Sequence, residues 1–174
     1  MHLHIVKKWF AIYTKPRWEK KVDSTLLQKG IDSFCPLHKI ERKWSDRKKI
    51  VEEPVFKSYV FVNIEEEQRL SVLQTNGVLN FVHFLGKPAI IRAQEIELIK
   101  QYLFEYPANI NVQSIDNFSI DDKVVIRQGV FMDNNGTVIK TGTKKIYVRL
   151  ESLEQIMVVE FPLSHVVTTI GKSR

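Results

Sequence analysis

The hydrophobic pattern of this chain changes its character near residue 105, and that change constrains the fold more than any other feature. Before it, short β-prone runs alternate with stretches in which apolar residues recur every three or four positions, a pattern typical of strands mixed with amphipathic helices. After residue 117, five short β-branched runs are separated by Asp, Asn and Gly turns, and no helical period appears. We therefore predict an α+β domain at residues 1–105, a linker at 106–117 and a small all-β barrel domain at 118–174.

The first domain is predicted to open with a strand and a helix. Residues 9–13 form an aromatic and apolar run that is typical of a buried strand. Thr14 is a good N-cap, Pro16 fits the first turn of a helix, and Gly30 suits its end. The apolar residues between these limits recur every four positions and form one buried stripe: Trp18, Val22 and Leu26.

A second strand and helix follow later in the same domain. Residues 55–62 are strongly β-prone. Asn63 and Glu66 have the spacing of a capping box, which predicts that a helix begins there. On that helix we expect Leu70 and Leu73 to face inward. The first domain is thus predicted as an antiparallel sheet flanked by helices.

Basic side chains are concentrated in the first third of the chain. Residues 1–60 contain 14 Lys and Arg against 7 Asp and Glu, in a chain of net charge +6. Such a surface faces either a polyanion or only solvent. Part of the excess lies on a predicted hairpin with a polar tip at 45–49, which is expected either to contact phosphates without sequence preference or to be an ordinary charged tip. The cations of this hairpin are Lys39, Arg42, Lys43, Arg47, Lys48 and Lys49.

The usual sequence signatures of catalysis and metal binding are missing. The sequence contains no phosphate-binding loop, dinucleotide fingerprint or nucleophile elbow, and its histidines lack zinc spacing. The single cysteine, Cys35, is expected to be packed as a small hydrophobe. No apolar run is long enough to span a bilayer. We expect a cytoplasmic protein without cofactor, metal or catalytic residues, and an enzyme only if a catalytic constellation is assembled in three dimensions.

Three stretches of the first domain, taken in order, resemble the N-terminal domain of the NusG family of transcription elongation factors. They are residues 9–14, 53–62 and 77–91. The second domain resembles a KOW module, which has an SH3-like barrel fold, through residues 122–126, 129–131 and 136–138. The basic, operon-dedicated RfaH-like and UpxY-like antiterminators look closer than housekeeping members. Two positions depart from the family pattern: Lys57 stands where proline is frequent, and the turn at 132–136 differs from the usual KOW loop.

The resemblance implies that the first domain binds the coiled-coil clamp helices in the largest subunit of bacterial RNA polymerase. The matching positions are Tyr13, Tyr59, Phe61, Phe81 and Phe84. Tyrosine and phenylalanine supply large contact areas at interfaces, but the same side chains are also suited to a core. Because Tyr59 and Phe61 lie on one face of a strand, both are expected at the site or both inside.

The resemblance also implies contact with the exposed non-template DNA strand of a paused complex. The matching positions are Lys15, Lys21, Thr75 and Asn76, and two further residues of the same basic patch are Arg17 and Lys20. Lysine and arginine hold phosphates, whereas asparagine and threonine can bond to base edges. Trp18 is a candidate for base stacking, although its helical spacing favours a core position.

The expected outcome of these contacts is suppression of pausing or termination, in an operon-specific manner, by a monomer. In the family, the KOW barrel recruits either the ribosome or the Rho terminator, and the sequence does not discriminate between them. The alternative function is that of a ribosome- or RNA-associated KOW protein acting in translation. That alternative would place the basic residues on the barrel, whereas here they are concentrated in residues 1–60.

Overall fold

A computed structural model describes residues 6–105 and the strands at 110–114, 122–126, 135–138, 145–150, 155–160 and 166–168. Among these residues, those up to Leu37 and from Phe56 to Ile96 form one compact unit, and those of His38–Val55 and from Glu97 onward form a second. In chain order the elements are β1 (Lys8–Thr14), α1 (Glu19–Gln28), β2 (Asp32–Phe34), β3 (Leu37–Lys43), β4 (Lys48–Pro54), β5 (Tyr59–Ile64), α2 (Arg69–Leu73), β6 (Val78–Phe81), β7 (His83–Phe84), β8 (Lys87–Pro88), β9 (Ile90–Ile91), α3 (Ala93–Glu105), β10 (Ile110–Ser114), β11 (Asp122–Ile126), β12 (Asn135–Val138), β13 (Lys145–Leu150), β14 (Gln155–Glu160) and β15 (Val166–Thr168).

The first unit is built on an antiparallel sheet with strand order β2-β5-β1-β6, in which β9 also pairs with β1. The register sets Phe10 opposite Val62 and Ile12 opposite Val60. One face of this sheet is covered by α1, which contributes Val22 and Leu26 to a continuous buried core. Each such side chain stabilises the fold by about 1.5–3 kcal/mol through burial. The predicted α+β class of the first domain, an antiparallel sheet with flanking helices, is confirmed.

The first helix begins later than the sequence predicts. Thr14 is the last residue of β1, and its N–H donates to the Ser58 carbonyl oxygen at 2.9 Å. Pro16 lies in a turn in which Arg17 has a φ of 66°, and α1 begins only at Glu19. The prediction of Thr14 as N-cap is therefore wrong, because the sheet keeps the backbone extended through this residue.

The second helix also begins elsewhere than predicted. Asn63 remains within β5, where its side-chain amide donates to the Asp32 carboxylate at 3.0 Å. The capping box is formed instead by Glu65 and Gln68, at the start of a single 3-10 turn that leads into α2. The pairing of β5 with β2 thus overrides the local signal at Asn63.

The inward face of α2 differs from the predicted one. Val72 is fully buried, whereas Leu70 is 63% exposed and Leu73 is 40% exposed. Val72 is the residue that this short helix contributes to the core. The prediction that both leucines face inward is wrong.

The strands after residue 105 form one antiparallel sheet, with order β10-β14-β13-β12-β11-β15. The last five of these strands in the chain overlap the five predicted β-branched runs. The additional strand β10 lies inside the segment predicted as a linker and pairs with β14. The boundaries at 105 and 118 and the KOW barrel stay predictions. In the described part of the chain, no helix has the length and apolar character needed to cross a membrane.

Candidate functional site

Two tyrosines form an exposed aromatic pair on the sheet face opposite α1. Tyr13 and Tyr59 are direct neighbours in the register of β1 and β5. Their ring centroids are 4.9 Å apart, and the Tyr59 hydroxyl donates to the Tyr13 hydroxyl at 3.3 Å. Tyr13 is 37% exposed and Tyr59 is half-buried. This tyrosine pair offers a rigid apolar surface with polar tips, the composition typical of protein-interface hot spots.

Phe61 lies on the same strand face as Tyr59 but is inside the protein. Its exposed fraction is 0%. Phe34 stacks on its ring with centroids 6.2 Å apart, and Phe56 meets it edge-on at 5.4 Å. The prediction that Tyr59 and Phe61 are either both at the site or both inside is wrong. Phe34 and Phe56 pack on Phe61, whereas Tyr59 stays partly exposed. Phe61 packs inside this face of the sheet and has no surface for direct contact with a partner.

The other two aromatic residues predicted at the polymerase contact, Phe81 and Phe84, also differ in exposure. Phe81 is 2% exposed and belongs to the core beneath α1, where it meets Phe10 edge-on at 5.8 Å. Phe81 therefore packs in the core, one of the two positions that its sequence allows, and its contact with a partner stays a prediction. Phe84 is 47% exposed on the small β7–β8 hairpin, whose tip residues Leu85 and Gly86 both have positive φ. Phe84 is thus accessible, and its contact with a partner stays a prediction.

The predicted basic patch lies around the start of α1. Its four cations, Lys15, Arg17, Lys20 and Lys21, are all exposed. The ammonium of Lys15 is 5.3 Å and that of Lys21 is 4.4 Å from the ring centroid of Trp18. Trp18 itself is half-buried against the core, which agrees with the core position that its spacing favours. Each cation–π contact stabilises by about 0.5–1 kcal/mol, so Trp18 restrains the positions of both lysines.

A glycine turn packs against Trp18. The Lys15 N–H donates to the Gly77 carbonyl oxygen at 2.9 Å. Gly77 has a φ of 96°, and a Cβ placed there would lie 2.6 Å from Trp18 Cε3 and 2.9 Å from Val22 Cγ2. Only a residue without a side chain fits this contact. The turn that contains Gly77 and the start of α1 are therefore one packed unit.

The two polar residues predicted on this turn have different surroundings. Thr75 is 2% exposed, its hydroxyl donates to the Ser71 carbonyl oxygen at 3.0 Å, and it accepts from the Lys29 ammonium at 2.9 Å. Thr75 is thus buried and hydrogen-bonded within the protein, and its contact with a base stays a prediction. Asn76 is exposed, so its amide remains available to a ligand.

A buried carboxylate, that of Glu19, joins the tyrosine pair to the basic patch, and no sequence motif singles this residue out. Glu19 is 4% exposed, and its carboxylate accepts the Ser58 N–H at 2.7 Å. Ser58 has a φ of 62° and immediately precedes Tyr59. Glu19 also lies in the first turn of α1, where a negative charge is favoured by the helix dipole. This contact, together with the hydrogen bond from the Thr14 N–H to the Ser58 carbonyl oxygen, ties the segment before Tyr59 to the start of α1.

The one cysteine shows no nucleophilic character. Cys35 is 8% exposed, as predicted for a small packed hydrophobe. Burial raises the pKa of its thiol to about 12, and the charges of Asp23 and Glu19 act in the same direction. A thiol reacts as the thiolate, so Cys35 is suited to packing.

Known proteins share both the sequence pattern and the fold. A family model described as "Transcription termination factor nusG" matches residues 7–100. The "Transcription termination/antitermination protein NusG" of Streptococcus pyogenes is 28% identical over 171 residues, which cover 90% of this chain and 93% of that protein. A solved structure titled "Domain interaction in Thermotoga maritima NusG" is 22% identical with a TM-score of 0.59, covering 95% of this chain and 98% of that one. The likeness to the solved structure concerns the fold alone.

Proposed function

The chain belongs to the NusG family of transcription termination and antitermination factors, and on that basis we propose that it binds RNA polymerase and the exposed non-template DNA strand. The tyrosine pair binds the clamp helices of the largest polymerase subunit. The basic patch at the start of α1 binds the DNA. When both contacts are made, pausing or termination is suppressed.

The observation that carries the polymerase contact is the geometry of the tyrosine pair. Tyr13 and Tyr59 restrain each other through ring packing and a hydroxyl contact, so little side-chain entropy is lost when a partner is bound. A helical partner laid across aromatic side chains is a recurrent binding mode. Phe84 is an additional exposed aromatic residue for the same partner. Phe61 and Phe81 contribute by packing inside the sheet.

The DNA contact is supported by charge and exposure. Lys15, Arg17, Lys20 and Lys21 present four cations at one end of α1, and phosphate contacts from such side chains position a strand without reading its sequence. Asn76 is the exposed amide on the neighbouring turn and reads a base edge. Restraint of Lys15 and Lys21 by Trp18 reduces the entropy lost when phosphates are bound.

The link between the two surfaces explains the proposed effect on transcription. Glu19 holds the Tyr59 strand to the start of α1 through Ser58. A rigid adaptor that contacts polymerase and DNA together binds best to the conformation in which both are correctly placed. It therefore shifts the enzyme population towards the active state and away from the paused state.

The finer parts of the proposal follow the sequence resemblance. We place the protein with the operon-specific RfaH-like and UpxY-like members, acting as a monomer in the cytoplasm. We also infer from the resemblance that residues 118–174 act as a KOW module, which recruits either the ribosome or the Rho terminator.

The test is binding of the full chain to purified bacterial RNA polymerase, with the double variant Tyr13→Ala/Tyr59→Ala. Loss of a hot spot weakens binding by about 30-fold or more, and we expect at least this loss with the fold retained. Phe104→Ala is the matched control, since Phe104 is a 91% exposed aromatic residue outside the proposed surface. If the double variant binds polymerase as tightly as the wild type, the tyrosine pair is not the interface. Binding of the wild type to ribosomes and not to polymerase would favour the alternative function in translation.

A further inference from the structure

The β3–β4 hairpin, which lies outside the surfaces assigned above, presents an exposed tryptophan at its tip. The Trp44 N–H donates to the Arg47 carbonyl oxygen at 2.8 Å, which leaves Ser45 and Asp46 at the turn. Trp44 is 62% exposed. The two other tryptophans of the chain, Trp9 and Trp18, are half-buried.

The ring of Trp44 is available for contact on this hairpin. In the part of the chain that the structure describes, neither a ring contact nor a cation–π contact involves Trp44. Trp18, in contrast, has two lysine ammonium groups beside its ring. Tryptophan gains more from burial than most side chains, so a ring that protrudes at a tip is suited to stacking on another flat group.

The charge around Trp44 is strongly positive. Residues 43–49 carry four cationic side chains and one acidic side chain. Two ion pairs, Arg42 with Glu53 and Lys48 with Glu41, join the two strands. On this hairpin, the exposed cations that form no ion pair with another described residue are Lys39, Lys43, Arg47 and Lys49. Charge of this sign attracts phosphates, and the attraction is lost as salt increases.

We propose that the hairpin tip is a second nucleic-acid site, which binds an unpaired strand by stacking Trp44 on a base while Lys43, Arg47 and Lys49 contact the flanking phosphates. Cations next to a free aromatic ring are the combination that proteins use for single strands. A duplex offers phosphates but few free base faces, because its bases are already stacked on each other. The ring is therefore the feature that selects a single strand over a duplex. This site does not depend on the tyrosine pair or on the patch at α1.

The test compares an oligothymidylate with an abasic oligonucleotide of the same length, both titrated with the full chain. The titrations are made in a Lys15→Ala/Lys21→Ala background, so that the patch at α1 contributes little. We expect Trp44→Ala to weaken binding to the oligothymidylate by roughly 10-fold or more and to leave binding to the abasic strand unchanged. Ile50→Ala is the matched control, because Ile50 is a 68% exposed apolar residue on β4 of the same hairpin. It should change neither affinity.

Salt dependence separates stacking from charge. Trp44→Ala should leave the slope of log affinity against log salt unchanged, whereas Arg47→Ala should reduce it by about 0.7 per lost phosphate contact. An equal loss on both oligonucleotides for Trp44→Ala would overturn the stacking role. Unchanged binding of Trp44→Ala to the oligothymidylate would overturn the site itself, and so would equally large losses for Ile50→Ala.

Discussion

Replacement of Gly77 by alanine should be far more destabilising than its small size suggests. The residue has a φ of 96°, which an L-amino acid adopts at a cost of about 1–2 kcal/mol. The added Cβ would also lie 2.6 Å from Trp18 Cε3 and 2.9 Å from Val22 Cγ2, and overpacking of this kind costs about 1–3 kcal/mol. Together the two effects lower the free energy of unfolding by about 2–5 kcal/mol, a large part of what a typical domain possesses.

The matched control for this substitution is Gly86→Ala. Gly86 also has a positive φ, of 77°, but a Cβ there meets nothing within 4 Å. Urea unfolding followed by circular dichroism should therefore show a loss of only about 1–2 kcal/mol for Gly86→Ala, and a clearly larger loss for Gly77→Ala. In a Trp18→Leu background the excess should shrink, because the ring is gone. Equal losses for the two glycine variants would refute the close contact between Gly77 and Trp18.

Three further predictions concern buried polar groups of the first unit. Glu19→Ala should lower the free energy of unfolding by about 2–3 kcal/mol in urea unfolding, because the Ser58 N–H loses a charged acceptor. A loss below about 0.5 kcal/mol would contradict a stabilising contact between Glu19 and Ser58. Cys35, with a pKa of about 12, should resist a thiol-specific reagent at pH 8 until urea is added. The free energy of unfolding should fall as pH rises from about 9 towards 12, because the thiol of the unfolded chain ionises at a lower pH than that of the folded protein. Rapid labelling of Cys35 in the native protein would contradict its burial. The pKa of Asp23 is raised by burial and lowered by its hydrogen bond from Ser33, so Ser33→Ala should raise it further in an NMR titration, and an unchanged pKa would contradict the bond.

The elements that the sequence predicts best are those with strong local patterns. The strand at β5 and the stripe of α1 are examples, since β-branched and aromatic runs and a spacing of four residues carry their own signal. Helix starts are predicted less well, because non-local hydrogen bonds decide them. Thr14 stays in β1 through its bond to Ser58, and Asn63 stays in β5 through its bond to Asp32. Local capping patterns contain no information about these partners.

The candidate site is predictable only in part for the same reason. Alternation along β5 correctly places Tyr59 and Phe61 on one face, but their exposure depends on Phe34 and Phe56, which come from other parts of the chain. The surroundings of Thr75 likewise depend on a distant residue, since its hydroxyl accepts from Lys29, which lies 46 residues earlier. Charge is more readily predicted, since lysine and arginine remain exposed in nearly any fold.

The central claim is that the tyrosine pair contacts polymerase clamp helices, and site-specific photocrosslinking tests it most directly. Tyr59 would be replaced by p-benzoylphenylalanine, the full chain irradiated with a transcription elongation complex, and the crosslinked peptides identified by mass spectrometry. The same replacement at Phe104 is the control. We predict crosslinks from position 59 to the clamp helices of the largest subunit and none from position 104. Crosslinks from position 59 to other polymerase regions, or none in a complex that has formed, would contradict the claim.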